Sequence, residues 1–213
     1  GQIVFFYDPF QEQIKKSMIS YLEKAVDVTK FPLKINFRNT WEISSLLQKL
    51  IKNFYPDNEL LYYKPIENHG EKPDLIEIDD RNKQIEKIAE ITENLVKKEK
   101  ISPKNIAIIY DGSIRAPSKK DLSITTEIKK KGFEVISAEE YSEPYLNKSK
   151  ENCITIDSIR RFKGLEKTVI IVTNIEDIDK ETVKNLYTGL SRARAHLIIV
   201  SNKIIIDKIK SLK

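Results

Sequence analysis

Apolar residues fall along this chain in short unbroken runs, separated by stretches in which they recur with helical period. The runs occupy residues 3–7, 33–35, 75–78, 106–110, 133–136, 153–156, 168–173 and 196–201, and most are β-branched. Several are apolar at successive rather than alternate positions, as strands covered on both faces must be, so they predict a parallel sheet between helices. The periodic stretches, residues 11–24, 40–53, 83–98, 123–131, 181–191 and 204–212, predict those helices. Strand and helix alternating along most of the chain are the signature of an α/β fold. Ser102-Pro103 separates a helix from the next strand, Gly132 ends another helix, and Thr40 stands at an N-cap position. Residues 111–117 and 141–152 are polar and predict surface loops.

Length and charge narrow the picture only a little. The 213 residues suffice for one α/β domain with a fragment of a second. Lys and Arg outnumber Asp and Glu by 37 to 32, a net charge of +5 that permits contact with a polyanion without requiring it. The lysine pairs and triplets at 97–98 and 129–131 close predicted helices, where the dipole already favours cations. Cys153, the single cysteine, lies in an apolar run and reads as a buried hydrophobe in a chain suited to a reducing cytoplasm. No run approaches the length of a membrane span, so no membrane partner is expected. The chain opens on Gly1 and enters a strand at once, as a piece of a longer polypeptide would.

Two segments carry chemistry. Leu186-Tyr-Thr-Gly-Leu-Ser-Arg-Ala-Arg-Ala-His-Leu-Ile-Ile-Val200 brings Arg192 and Arg194 to the start of a buried strand. A guanidinium is always charged and presents a planar fork of donors, so one held there can clamp a phosphoryl oxygen. Ser158-Ile-Arg-Arg-Phe-Lys-Gly-Leu-Glu166 leaves the end of a predicted strand, where α/β folds bind ligands.

Together these segments resemble the C-terminal motor domain of the superfamily 1, UvrD-like helicases. The second is similar to motif V and the first to motif VI; Leu33-Lys-Ile-Asn-Phe-Arg-Asn-Thr40 is similar to motif IV, and Tyr7-Asp-Pro-Phe-Gln11 to motif III. The four stand in the family's order. The resemblance implies a RecA-like, P-loop NTPase type of sheet, mostly parallel, with helices on both faces. It implies that Arg38 and Arg192 reach the γ-phosphate of ATP across the cleft between two RecA-like domains, and that Gln11 senses that phosphate. Phe37 would stack on adenine in place of the usual tyrosine, Glu166 would meet the ribose, and Gly164 would let the loop pass close to the nucleotide. Ser158, Arg160 and Lys163 would touch the nucleic-acid backbone. The implied partners are single-stranded DNA, with RNA left open, and the first RecA-like domain of the same polypeptide.

Departures from the pattern are Tyr7 for glycine, Ser158 for threonine and Arg160 for histidine. Arg194 matches less well than Arg192. Trp41 reads as a buried anchor for its helix, and neither His69 nor His196 has neighbours at metal-ligand spacing.

No Gly-x-x-x-x-Gly-Lys-Ser/Thr loop and no apolar strand ending in the paired Asp-Glu of a Walker B motif occurs. In the family those elements, which hold the phosphates and Mg2+, precede motif III. Residues 1–30 therefore read as the end of a first RecA-like domain with its linker, and residues 31–213 as the second. Such a fragment alone is expected to be inactive. The alternative is a helicase-like module kept for nucleotide-gated nucleic-acid or protein binding without unwinding. A third reading is an unrelated α/β binding domain.

Overall fold

The computed structural model describes residues 35–57, 63–65, 67–111, 123–136 and 150–212, together with 21, 24 and 29. The predicted first strand at 3–7, most of the predicted helix at 11–24, Gln11 and nearly all of the 1–30 segment lie outside the described residues.

The described chain runs β1 (Ile35–Asn36), α1 (Trp41–Phe54), β2 (Lys64–Pro65), β3 (Asp74–Glu77), α2 (Arg81–Lys97), β4 (Ile106–Tyr110), α3 (Ile124–Lys130), β5 (Glu134–Ile136), β6 (Cys153–Ser158), β7 (Lys167–Thr173), α4 (Val183–Leu190), β8 (Ala193–Ser201) and α5 (Lys203–Lys210). Six strands form one sheet in the order β3-β8-β7-β4-β6-β5, and every pairing is parallel. β1 and β2 make a separate parallel pair that the sequence pattern did not show.

The central strands bury both faces, as their unbroken apolar runs require. Ala107, Ile109, Ile170, Val172, Leu197 and Ile199 meet Ile43 and Leu47 of α1, Leu186 of α4 and Ile205 of α5. The intervening residues Ile106, Ile108, Val169, Ile171, Ile198 and Val200 meet Ile88 and Leu95 of α2 and Ile128 of α3 on the other side. Successive residues of a strand point to opposite faces, so one run feeds two cores. The helices supply matching stripes: Ile43, Leu47, Leu50 and Ile51 recur at the spacing of one face of α1. Asp80 caps α2 by accepting from the Lys83 amide at 2.8 Å, and Asn202 caps α5 through the Ile205 amide at 3.0 Å.

A charged junction ties α2 to α3. Glu93 accepts from Lys131 Nζ at 2.7 Å and from Lys97 Nζ at 2.6 Å. The Lys131 hydrogen bond first, then that of Lys97, pushes the Glu93 carboxyl down to about 2 from 4.5. A depressed carboxyl stabilises the fold above its unfolded pKa and loses that contribution as pH falls through the folded one. Wild type is therefore expected to resist urea better than Glu93→Gln at neutral pH, with the difference shrinking as pH drops from 4.5 toward 2. Paired urea titrations across that range check it; a difference that held constant down to the lower limit would refute the pairing.

Candidate functional site

The turn after β1 is built by two asparagines. Asn36 Oδ1 accepts from the Arg38 amide at 2.9 Å and the Asn39 amide at 3.3 Å, an Asx turn. Its Nδ2 donates to Asn39 Oδ1 at 2.7 Å and to Ser44 Oγ at 3.1 Å. With the turn fixed, Phe37 and Arg38 project outward. The Phe37 ring is 75 % exposed. Arg38 Nε donates to Glu166 Oε2 at 2.9 Å, while Arg194 Nε lies 3.7 Å from the other oxygen of that carboxylate. One glutamate thus holds an arginine from motif IV and another from β8.

The start of α1 rests on residues 67–70. The Trp41 amide donates to the Asn68 carbonyl at 2.9 Å. Glu42 accepts from the Gly70 amide at 2.8 Å, and His69 Nδ1 stands 2.9 Å from its other oxygen. The Gly70 amide first, then His69, holds the Glu42 carboxyl below its usual range. A Cβ on Gly70 would come within 2.6 Å of Thr40 Cγ2, so this approach requires glycine. Thr40 occupies the N-cap position, yet its hydroxyl makes no capping bond.

The motif V segment links opposite edges of the sheet. Ser158 ends β6 level with Tyr110, which is itself level with Thr173 at the end of β7. Lys167, at the start of β7, pairs with Ala193 at the start of β8. Because all strands are parallel, Ser158 sits at the C-terminal edge and Glu166 beside the N-terminal edge. Seven residues of β7 separate the two levels, roughly 20 Å. Between them Ser158 Oγ accepts from the Arg161 amide at 3.3 Å, Phe162 is fully buried, and Arg160 is exposed while Lys163 is half-buried.

The C-terminal edge holds a further feature. The chain leaves β4 toward β5 by way of α3, and leaves the adjacent β7 toward β8 by way of α4 on the opposite face. Such divergence of neighbouring strands opens the crevice in which α/β sheets take ligands. Here Asp111 is buried, its carboxylate accepting from Asn185 and its carbonyl from Asn174 Nδ2 at 2.9 Å; Arg81 donates to Asn174.

In motif VI the two arginines part company. Arg194 is the second residue of β8, a strand that begins three residues earlier than its apolar run suggests, and it is exposed. Arg192 sits in the turn before β8, only 3 % exposed, its Nε donating to the Thr188 carbonyl at 3.0 Å. Thr188 lies in the last turn of α4, where the dipole favours a cation. Its neighbours on both sides are gripped by Asn39: Nδ2 donates to the Ser191 carbonyl at 3.0 Å and the Ala193 carbonyl at 2.6 Å. Gly189 lets motif V approach α4, since a Cβ there would stand 2.7 Å from Ile159 Cδ1.

Residues 154–200 match the family described as the UvrD-like helicase C-terminal domain. Over that segment the chain resembles UvrD-like helicase C-terminal domains. The match runs from β6 into β8 and so spans motifs V and VI. In structure, the chain is similar to the C-terminal domain of a possible DNA helicase from Lactobacillus plantarum WCFS1, with a TM-score of 0.56 and 16 % identity over 84 % of this chain and 94 % of that one. No curated protein matches the sequence. The sheet order and the structural likeness establish the RecA-like α/β fold.

One residue gains a structural reason here, and one expectation changes. Gly164 has φ +91, and a Cβ there would meet nothing within 4 Å. Within the chain itself the glycine serves the left-handed turn. Trp41 is 43 % exposed rather than a buried anchor, with the His69 ring 5.5 Å away. It lies two residues before Ile43 and is turned away from the stripe that α1 buries. The structure brings Arg38 to Glu166 and leaves Arg192 on a helix end. What sequence reasoning missed is Asn39: two asparagines three residues apart flank Phe37 and Arg38, and only the long-range contact reveals their role. Among the described residues no group of three His, Cys, Asp or Glu could hold a metal, and no helix is long and apolar enough to cross a membrane.

Proposed function

We propose that this domain is the second motor half of an ATP-dependent DNA helicase or translocase, closing on Mg-ATP held chiefly by a first RecA-like domain. The observation that carries the proposal is the gathering of Arg38, Arg194 and Glu166 at the N-terminal edge of β7 and β8, beside the turn that bears Arg192. An exposed phenyl ring next to exposed guanidinium groups fits a ligand that is aromatic at one end and polyanionic at the other. Phe37 stacks on the adenine, Glu166 accepts from the ribose, and Arg38 and Arg192 neutralise charge spreading over the γ-phosphate oxygens. In the resting chain Glu166 shields Arg38 and the Thr188 carbonyl holds Arg192; the phosphates draw both arginines away as the cleft closes.

Nucleic acid is engaged at the other edge. Ser158, Arg160 and Lys163 contact backbone phosphates of single-stranded DNA, whose affinity falls with salt as counterions are no longer released to advantage. Because motif V runs from that edge to Glu166, a shift at one end is felt at the other. Gln11 of motif III completes the link from the first domain's side.

The test compares this chain alone with the polypeptide that joins it to its first RecA-like domain. The chain alone is expected to hydrolyse ATP no faster than buffer, and the joined polypeptide to do so with stimulation by single-stranded DNA. Robust turnover by the isolated chain would sink the two-domain account. DNA or protein binding gated by nucleotide, without turnover in the joined polypeptide, would establish the binding-module reading instead.

A further inference from the structure

We infer that Asn39 is a positioning residue that fixes Arg192 relative to Arg38, so that the two arginines act as one unit; this deepens the γ-phosphate reading above and rests on it. Asn39 is 1 % exposed. Its side-chain nitrogen carries two hydrogens and directs them at two carbonyls, Ser191 at 3.0 Å and Ala193 at 2.6 Å. Those carbonyls bracket the Arg192 residue, one in the peptide unit that enters it and one on the residue that follows it, so its turn is held by one group 152 and 154 positions distant in sequence. The remaining atom of the amide, Oδ1, accepts from Asn36 Nδ2 at 2.7 Å, and Asn36 in turn accepts from the Arg38 backbone at 2.9 Å.

The chain of bonds therefore reads Arg38 amide, Asn36, Asn39, Arg192 flanks. The first two links lie within the turn after β1, the last joins that turn to the one before β8, and the receiving end is buried. No other residue type satisfies the arrangement. A serine donates one hydrogen, an aspartate donates none and would set a carboxylate against two carbonyls, and glutamine reaches too far from the same backbone. The geometry also separates two functions of the neighbourhood: Arg192 is stored by Thr188 through its side chain, whereas Asn39 sets its backbone and does not touch the guanidinium fork. When the side chain swings to a phosphate, its origin stays fixed relative to Arg38. A catalytic group displaced by about 1 Å can lose about 10²-fold in rate, so this fixing has a kinetic consequence.

The experiment uses the joined polypeptide and measures ATP turnover, nucleotide affinity and thermal melting for Asn39→Ala, Arg192→Ala and the double variant. Asn39→Ala is expected to lower kcat by about 10²-fold with KM within about threefold, because binding contacts remain while the transition-state contact is misplaced. In the Arg192→Ala background the same change is expected to cost less than about twofold, since a residue that acts through Arg192 has nothing left to position. Additive losses, or an undiminished kcat in a folded Asn39→Ala protein, would overturn the inference. If Asn39→Ala fails to fold, Asn39→Ser retains one donor and decides the matter by the same cycle. Undiminished turnover in Arg192→Ala itself would instead refute the γ-phosphate reading, whatever Asn39 does.

Discussion

Replacing Arg192 by alanine in the joined polypeptide is expected to lower ATP turnover by about 10³–10⁵-fold, the range over which a γ-phosphate arginine acts. Phosphoryl transfer leaves little covalent work for the protein, so a positioned cation carries a large share of the rate. Single-stranded DNA affinity is expected to stay within a few-fold, because the proposed backbone contacts begin with Ser158 at the opposite edge of the sheet, roughly 20 Å away. Arg192→Lys is expected to lose most of the same activity: it keeps the charge and discards the fork. Arg192 is buried against the Thr188 carbonyl, so the variants need a thermal melt beside the kinetics. Turnover and DNA binding lost together with the melting transition would assign Arg192 to folding; turnover lost alone assigns it to the phosphate.

Much of this arrangement was legible in the residues themselves. The unbroken apolar runs at 106–110 and 168–173 required two covered faces, and β4 and β7 lie at the centre of the parallel sheet. Motifs V and VI were readable because glycine, arginine and glutamate at fixed spacing express backbone and charge requirements that few other residues meet. The start of β8 was harder. Arg194 and His196 are polar, yet the strand extends through them because its first residues pair with Lys167 where one side of the sheet is open. The grip of Asn39 on the Arg192 turn was not legible at all, since it is a tertiary hydrogen bond between segments about 150 residues apart. The exposure of Trp41 follows from the phase of α1, which its buried stripe fixes and the aromatic side chain alone does not.

Phe162→Ala is expected to destabilise the domain by about 3–5 kcal/mol, the usual cost of emptying a fully buried aromatic site, and to lower the melting temperature by about 6–20 °C for a domain of this size. Phe162 is the largest fully buried side chain in the described structure, and it sits midway along motif V. On either side of it the loop closes on itself: Ser158 Oγ meets the Arg161 amide, and the Leu165 amide donates to the Phe162 carbonyl at 3.1 Å. The ring packs in the core shared with α1 and α4 and so pins to the domain a segment that joins the proposed nucleic-acid edge to Glu166. Phe162→Leu refills most of the volume and is expected to cost less than about 2 kcal/mol. That variant isolates the mechanical role: with the fold intact and the anchor loosened, DNA stimulation of ATP turnover falls while turnover without DNA is retained. Calorimetry on both variants and turnover with and without single-stranded DNA measure the two effects. A Phe162→Leu protein stimulated by DNA as fully as wild type would show that motif V transmits nothing through this anchor.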